Sequence, residues 1–433
     1  MAKHGAFLDS AGARDKKQSM SFVRCLQSLG SGKEYPPNTI MNLCPIDQKP
    51  VQMVLDLDRI KKERRKRSWY HPERKDMWRF GALLPLDIDD FQDRKSTVSL
   101  GEGYTPLLDY SDHSAANQIG FRLEIKEEGR PYDGFGANPT QSFKDRGISI
   151  VVSMAKKLGL QKLAIPTQGN AGDSLAEYAL RAELEAAVVM PSDTPAPILN
   201  KVSGYATTHS NIHLDVVKGT IREAELLVKE KYLPLGYFSV ATFQEPGWRI
   251  EGKKTMGLEL AEPGPGKTEW KLPDVIVYPC GGGTGIVGMW KAFDELEALD
   301  LIGSRRPRIV AVQSEATSPV VQAFRQRASD TKSVNPGKTI AVGLNVPGGV
   351  GHFQVLRILY ESGGIAISVS EDSIQAELRE AYRKKGWRLG PEGAATLAAL
   401  PELIERKIIR TEDHVVVFNT CSAEKYLSSE SLT

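Results

Sequence analysis

Short apolar runs alternate with amphipathic stretches along the chain after about residue 100. The runs are largely aliphatic, which is typical of strands buried in a parallel sheet. They comprise residues 163–166, 186–190, 275–278, 308–312, 366–369 and 414–418. Helix-like segments at 174–181, 195–202 and 286–299 follow three of these runs. Strands that alternate with helices in this way predict an α/β fold with mostly parallel sheets, in which ligands bind where strand ends meet helix starts.

The pattern before residue 100 is different and predicts a separate N-terminal module. Residues 1 to about 20 are small and polar, and we expect them to be mobile. The segment 42–58 predicts a strand pair or a strand that enters a helix. The basic run 61–67 is interpreted as a solvated helix face rather than a surface for nucleic acid, because nothing else in the chain supports such a partner. The apolar segment 78–86 predicts packing against a neighbouring domain.

Composition narrows the class of protein without changing this picture. The chain has 433 residues, of which 41% are hydrophobic and 25% charged, and its net charge is +2. This balance gives no reason to expect a nucleic-acid partner, and no apolar run is long enough to predict a membrane span. Four scattered cysteines are too few for a disulfide scaffold and suit a reducing cytoplasm.

Two small-residue turns stand between predicted strands and helices. Gly281–Gly285 follows the run 275–278 and precedes a helix, so its backbone N–H groups and the helix dipole could hold a phosphate; packing is the alternative reason for such a turn. A dinucleotide site is disfavoured because Asp294 falls inside the following helix rather than at the end of a second strand. The second turn, 167–172, could hold a carboxylate or a ring hydroxyl through Asn170, or it could be a capped helix start.

Six segments, taken in order, resemble threonine synthase and other fold-type II pyridoxal-phosphate enzymes. The segments are Gly101–Leu107, Ser142–Gly147, Gly169–Gly172, Arg249–Thr255, Gly281–Gly285 and Val416–Ser422. The resemblance implies the tryptophan synthase β-like fold, with two three-layer α/β/α lobes of mostly parallel sheets plus a small N-terminal module. The domains expected are an N-terminal module at 1–98, a large cofactor-binding lobe at 99–147 and 246–433, and a small mobile lobe at 148–245.

The resemblance also implies a cofactor, pyridoxal 5'-phosphate, and a role for each matching residue. Lys144 would be the catalytic residue and would carry the cofactor as a Schiff base. Cofactor-binding residues, besides Lys144, would be Phe143, Asn170, Gly281, Gly282, Gly283, Thr284, Gly285 and Thr420, with Thr420 facing the pyridine nitrogen. Substrate-binding residues would be Ser142, Thr167, Gln168, Ala171 and Arg249.

The chain departs from the family pattern in two places. Before Arg249 the family has N-S-x-N-P-x-R, whereas this chain reads Phe-Gln-Glu-Pro-Gly-Trp-Arg; only Arg249 remains, and Glu245 would repel a phosphate dianion. Many relatives also carry a four-cysteine ribbon. Here its halves read Cys25-Leu-Gln-Ser28 and Cys44-Pro-Ile-Asp47, so no zinc or other metal site is predicted, with Asp47 or His71 the only conceivable substitutes.

Three functions follow, in order of preference. The first is a threonine synthase-like lyase that converts O-phosphohomoserine and water to threonine and phosphate. The alternative is a threonine/serine dehydratase or a related elimination or replacement enzyme, such as a diaminopropionate lyase or a cysteate synthase-like enzyme. The third is a non-catalytic protein that keeps the fold. The expected partner is a small amino-acid substrate, and neither nucleic acid nor a membrane is expected. Whether the chain forms a homodimer is left open by the sequence.

Overall fold

The computed structural model describes residues 21–63, 69–264 and 266–426. Its first element is a three-stranded antiparallel sheet in the order β2-β1-β3, with β1 at Val23–Ser28, β2 at Glu34–Tyr35 and β3 at Val51–Leu55. Helix α1, Leu57–Glu63, follows β3 directly, which confirms the prediction of a strand that enters a helix. The expectation for residues 1–20, and the part of the basic run at 64–67, lie outside the described residues.

A six-stranded sheet in the order β12-β11-β10-β13-β5-β4 forms the larger of two α/β layers. Its strands are β4 (Leu107–Asp109), β5 (Arg122–Glu127), β10 (Val275–Pro279), β11 (Arg308–Ser314), β12 (Ile365–Val369) and β13 (His414–Asn419). All neighbours are parallel except the pair β4–β5. Strand β13, late in the sequence, lies between β10 and β5.

A four-stranded sheet in the order β8-β7-β6-β9 forms the smaller layer, and all its neighbours are parallel. Its strands are β6 (Lys162–Pro166), β7 (Glu185–Pro191), β8 (Ile212–Val217) and β9 (Phe238–Ser239). All six apolar runs of the sequence are strands in one or the other parallel sheet, which confirms the α/β fold with mostly parallel sheets.

Helices connect these strands. They are α2 (Phe91–Ser96), α3 (Ser114–Ile119), α4 (Lys144–Lys157), α5 (Asn170–Ala182), α6 (Ala196–Thr208), α7 (Ile221–Leu227), α8 (Trp248–Ala261), α9 (Thr284–Ala298), α10 (Pro319–Arg325), α11 (His352–Glu361), α12 (Glu371–Lys385), α13 (Pro391–Ala398) and α14 (Leu400–Glu405). Short 3₁₀ or π turns occur at Met77–Leu83, Val228–Tyr232, Leu233–Leu235, Val342–Leu344 and Ala423–Lys425. None of the helices described is long and apolar enough to cross a membrane.

Helices cover both faces of each of these two sheets. Because successive residues of a strand point to opposite faces, each strand contributes side chains to two different cores. In β10, Ile276 and Tyr278 pack into a core with α8, α9 and α11, whereas Val275 and Val277 pack into a second core with α3, α12 and α13. The small sheet shows the same division: Ile165 packs with α4, α5 and α6, whereas its neighbour Ala164 packs with α7. The result is two α/β/α arrangements, as the resemblance implied; the exact domain boundaries stay a prediction.

A buried ion cluster fixes the start of α4, where Lys144 lies. The Arg146 guanidinium is fully buried and donates to Glu128 at 2.7 Å and to Glu259 at 2.6 Å. Lys126 also donates to Glu259, at 2.7 Å. Buried charges are tolerated when they are paired and hydrogen-bonded in this way. The cluster ties α4 to β5 and α8, so the first turn of α4 has a defined position.

Candidate active site

A cavity of about 410 Å³ lies where strand ends of both parallel sheets meet helix starts. Its lining includes Pro166 and Pro279, which end β6 and β10, and the first residues of α4, α5 and α9. This is the place where open parallel sheets bind ligands. The predicted residues that line it together are Phe143, Lys144, Thr167, Gln168, Asn170, Ala171, Arg249, Gly281, Gly282, Gly283, Thr284, Gly285 and Thr420.

Ser142 is the one predicted residue that does not line this cavity. It is fully buried, pairs with Cys421 through an isolated β-bridge, and its hydroxyl accepts the backbone N–H of Lys144 at 3.3 Å. Ser142 therefore contacts the backbone in front of Lys144 from outside the cavity wall.

Lys144 is the first residue of α4, and its amine lies 4.3 Å from the centroid of the Phe143 ring. Burial, together with the positive charge of Arg249, lowers the pKa of this amine to about 8, although the charge of Glu392 acts in the opposite direction. A lysine attacks a carbonyl group only as the neutral amine. The site therefore prepares Lys144 as a nucleophile near neutral pH.

The loop Gly281–Gly285 fits a phosphate group. Gly283 has a φ of +82°, and helix α9 starts after it without a side-chain cap, so backbone N–H groups at the helix start remain available. Side chains would obstruct the loop: a Cβ at Gly285 would lie 2.1 Å from the Tyr278 hydroxyl, and one at Gly283 would lie 2.2 Å from Val355. Glycine is required at these positions because the backbone approaches its neighbours so closely.

The turn 167–172 leads into α5 and carries an unpaired amide oxygen. Asn170 is buried; its Nδ2 donates to the Tyr426 hydroxyl, and its Oδ1 has no partner within the described parts of the chain. Helix α5 begins without a side-chain cap, and Thr167 Oγ1 accepts the Gly169 N–H at 3.1 Å. Buried polar atoms normally have partners, so the free oxygen and the uncapped N–H groups indicate a ligand with a hydroxyl and a carboxylate.

Arg249, near the start of α8, presents an unpaired edge of its guanidinium group. Its Nη1 donates to the Thr242 hydroxyl at 2.8 Å, whereas Nε and Nη2 have no partner among the residues that the structure describes, although the residue is 5% exposed. Nε and Nη2 form the fork that binds a carboxylate or phosphate through two parallel hydrogen bonds. Burial lowers the pKa of Arg249 to about 10, which leaves the group charged at neutral pH.

Glu245 does not face the cavity, where the sequence predicted that it would repel a phosphate group. Its Oε2 accepts the backbone N–H of Arg249 at 3.3 Å, and the residue does not line the cavity. Burial raises its pKa to about 7. The carboxyl group is thus turned toward the start of α8, where it satisfies an N–H group that the helix leaves unpaired.

Sequence reasoning did not find Glu392, which also lines the cavity. Its Oε1 accepts the Gly343 N–H at 2.7 Å, and its Oε2 accepts the Cys421 thiol at 3.2 Å. The only local signal was Gly390-Pro391-Glu392, which reads as an ordinary helix start. Tyr426 and the loop 342–350 were also missed, because they reach the cavity from distant parts of the sequence.

The positions of the family's metal ribbon hold a hydrogen-bonded cluster. Ser28 Oγ donates to Asp47 Oδ2 at 2.6 Å, and the Tyr35 hydroxyl lies 3.1 Å from Cys44 Sγ. Among the described residues there is no group of three or more His, Cys, Asp or Glu side chains that could hold a metal ion. His71, whose side chain is largely buried, lies instead beside Glu73 and Asp89.

Comparison with known proteins defines the class of this enzyme. A model of the family described as "Pyridoxal-phosphate dependent enzyme" matches residues 98–420, and the chain belongs to this family. The chain is 30% identical to threonine synthase of Methanocaldococcus jannaschii over 402 residues, which are 92% of this chain and 91% of that protein. It is 29% identical to threonine synthase of Methanosarcina acetivorans over 93% of this chain and 91% of that protein. It is thus a threonine synthase-like, pyridoxal-phosphate-dependent lyase.

Solved structures confirm the fold-type II architecture. Maize serine racemase superposes with a TM-score of 0.61 at 20% identity, covering 80% of this chain and 95% of that chain. Threonine deaminase isoform 2 of Solanum lycopersicum superposes with a TM-score of 0.60 at 20% identity, covering 79% and 89%. At this level of identity the likeness shows the fold alone.

The residues present fit pyridoxal 5'-phosphate, the cofactor of this family. The site offers a lysine of lowered pKa, a glycine cradle for the phosphate and an unpaired Asn170 Oδ1 for the ring hydroxyl. Thr420, which follows β13, adds a hydroxyl to the cavity wall, and its carbonyl accepts the Phe143 N–H at 3.0 Å.

Proposed function

We propose that the enzyme converts O-phosphohomoserine and water to threonine and phosphate. The observation that carries this proposal is the unpaired Nε–Nη2 edge of Arg249, buried in the wall of the cavity that also holds Lys144. A substrate with a second anionic group away from its amino-acid end would satisfy both nitrogen atoms. A substrate without such a group would leave them buried and unpaired, which costs about 1–3 kcal/mol for an uncharged group and more for a charged one.

The two ends of the substrate would be held by different parts of the site. Thr167, Gln168 and Ala171, which lie around the uncapped start of α5, would bind the α-carboxylate. The Thr167 N–H already donates to the Val189 carbonyl at 3.0 Å, so Thr167 would contribute its hydroxyl group. Arg249, with Thr242 fixing its third nitrogen, would bind the phosphate group at the other end. Holding both ends orients the carbon atoms between them toward Lys144.

Lys144 would first hold the cofactor covalently and then act as the proton carrier. The bound cofactor supplies an electron sink that stabilises negative charge on the substrate carbon atoms. The Lys144 amine takes a proton from one carbon and returns it to another, for which a pKa near the working pH is suited. Gly281–Gly285 would hold the cofactor phosphate, Asn170 the ring hydroxyl and Thr420 the pyridine nitrogen, with Phe143 beside the lysine.

A second candidate is a dehydratase or related elimination enzyme with the same cofactor. One observation favours it: residues 243–246 supply none of the Asn and Ser side chains that the family pattern places before the arginine. Phe243 and Gln244 line the cavity at this point, so Arg249 has fewer hydrogen-bonding neighbours than a phosphate dianion would use. A substrate with a carboxylate, or with an uncharged hydroxyl, is the alternative.

A substrate panel distinguishes these functions. The purified holoenzyme is assayed for phosphate release from O-phosphohomoserine, and for ketoacid and ammonia release from threonine, serine and diaminopropionate. Threonine and phosphate formed in equal amounts support the proposal. Rapid ketoacid formation without phosphate release would contradict the proposal and support the dehydratase function. A cofactor absorbance band that is lost in Lys144→Ala supports both enzyme functions, whereas a purified protein that stays colourless with added cofactor would favour the non-catalytic alternative.

We further propose the domain division and assembly expected from the family. The small lobe would be residues 148–245, and every strand of the four-stranded sheet lies within it. The large lobe would be residues 99–147 and 246–433, and the N-terminal module residues 1–98. The enzyme would be a cytoplasmic homodimer. Light scattering on the purified protein tests the assembly, and limited proteolysis followed by mass spectrometry tests the boundaries.

A further inference from the structure

Glu392 is a buried carboxylate in the cavity wall that the proposed reaction does not use. It lies in the first turn of α13 and is 3% exposed. It shares the cavity with Lys144, and no motif of the family resemblance includes it. A carboxylate in such a place is expensive unless something compensates its charge, so its partners indicate its role.

The structure holds this carboxylate in a fixed orientation. One oxygen accepts the Gly343 N–H at 2.7 Å and the other accepts the Cys421 thiol at 3.2 Å. A Cβ at residue 343 would lie 2.7 Å from Oε1, so the glycine permits this approach. Both donors are uncharged, because burial keeps the pKa of the Cys421 thiol well above its ordinary value. Neither donor therefore neutralises the carboxylate.

The charged groups around Lys144 identify the compensating charge. On α8, Arg249 is charged, whereas burial and the charges of Lys144 and Arg249 lower the pKa of Lys253 well below its ordinary value. Glu392 on α13 is acidic, and burial raises the pKa of the Cys421 thiol and of the Tyr426 hydroxyl, which keeps both groups neutral. Burial raises the pKa of Glu392, whereas its hydrogen bonds and the charge of Lys144 lower it. Among the described residues, Glu392 is the carboxylate whose charge acts on Lys144.

We propose that Glu392 is a positioning residue that supplies the counter-charge for the proton on the Lys144 nitrogen, held in place by the Cys421 thiol. This applies to the free amine and also to the nitrogen once it joins Lys144 to the cofactor. Without Glu392 that proton would face Arg249 with no opposing charge. The protonated nitrogen is the form that an incoming amino acid attacks most readily, so Glu392 assists the exchange of lysine for substrate.

The test is a pH titration of the cofactor's absorbance in the holoenzyme, without substrate. In Glu392→Gln the midpoint for loss of the proton falls by about one pH unit or more, because one buried charge is removed. Glu392→Asp restores part of the shift. Cys421→Ala, which removes the thiol donor, lowers the midpoint less, and Cys421→Ser keeps it near the wild-type value. Glu225→Gln, a half-buried acid at the same cavity, is the matched control and leaves the midpoint unchanged.

The outcomes separate this proposal from the proposed function on which it partly rests. The titration involves no substrate, so its result stands whichever amino acid the enzyme uses. A midpoint in Glu392→Gln equal to that of the wild type overturns the proposal. If Glu392→Gln does not bind the cofactor, the two Cys421 variants decide: equal midpoints in Cys421→Ala and Cys421→Ser also overturn it. If Glu392 had a purely structural role, its substitution would lower thermal stability without shifting the midpoint of the pH titration.

Discussion

Ser28 donates a hydrogen bond to Asp47 at 2.6 Å, across two positions where the family's ribbon has cysteines. Asp47 also accepts the backbone N–H groups of Ser31 at 2.7 Å and Lys49 at 2.9 Å. These hydrogen bonds join the turn after β1 to the segment before β3. A carboxylate and a hydroxyl thus cross-link the two halves of the ribbon directly, and Cys25 and Cys44 are buried in the module as free thiols.

We expect Asp47→Ala to lower the thermal unfolding midpoint by a few degrees, because three donors lose their acceptor. The hydrogen bonds hold the pKa of Asp47 below its ordinary value, so its contribution is present above about pH 4 and is lost as the pH falls further. Melting curves at several pH values measure this. A chelator should leave the wild-type midpoint unchanged, and a chelator-induced drop would contradict the hydrogen-bonded cross-link. Asp133→Ala, in an exposed loop, is the control.

Gly283→Ala should weaken cofactor binding by at least tenfold. The added Cβ would lie 2.2 Å from Val355, and the alanine would have to adopt the φ of +82° that Gly283 has. Strain of this kind is relieved by moving the loop, which displaces the N–H groups meant for the phosphate. Equilibrium titration with the cofactor, followed by fluorescence, gives the dissociation constant. Gly303→Ala, where nothing lies within 4 Å of the new atom, should bind as the wild type does.

The rate at which cofactor-free protein captures the cofactor should rise with pH and level off above about pH 8. Burial lowers the pKa of Lys144 to about 8, and only the neutral amine reacts. Below that value the rate should fall roughly tenfold for each pH unit, as the neutral fraction does. Stopped-flow absorbance measures the rate. A plateau reached only near pH 10 would mean that Lys144 titrates as a solvent-exposed lysine.

Arg249→Lys should reduce kcat/KM for a phosphorylated substrate by about 10–100-fold, because the charge remains but the bidentate edge is lost. Most of the loss is expected in KM if the phosphate contact is equal in the ground state and the transition state. Inhibition by inorganic phosphate should weaken in parallel. Lys156→Arg, an exposed change on α4, is the control for handling and folding. Equal constants in the wild type and Arg249→Lys would exclude Arg249 from anion binding.

Asp173→Asn should destabilise the protein by roughly 3 kcal/mol, because it leaves Lys425 buried without its anionic partner. Lys425 also donates to the Thr140 carbonyl, and Lys201 lies 2.9 Å from Asp173. The double variant Asp173→Asn with Lys425→Met removes both charges and should recover part of the loss. Denaturant unfolding of the four proteins in this cycle gives the coupling energy. Additive effects of the two substitutions would show that the pair does not interact.

The sequence predicted the parts of the site that lie within short motifs. Lys144 was predicted because its segment resembles a family motif, and Gly283 because a glycine-rich turn between a strand and a helix can hold a phosphate. The strands were found because an aliphatic run that is buried on both faces has a recognisable pattern. Glu392 and Tyr426 were missed because their functional neighbours are distant in sequence, and only the packing of strands brings them together. The motif around Ser142 could not show that this hydroxyl lies outside the cavity lining, and its predicted contact with the substrate stays a prediction.

The position of β13 has a consequence for the synthesis of this protein. Residues 414–419 form the strand between β10 and β5, yet they are translated after every other strand of that sheet. While the chain emerges from the ribosome, β5 and β10 therefore each expose an edge that only β13 covers. After β5 ends at residue 127, nearly three hundred further residues must be translated before β13 can pair with it and complete the sheet. A nascent chain in this state is exposed to aggregation, and the cofactor pocket is completed only once this late strand has inserted.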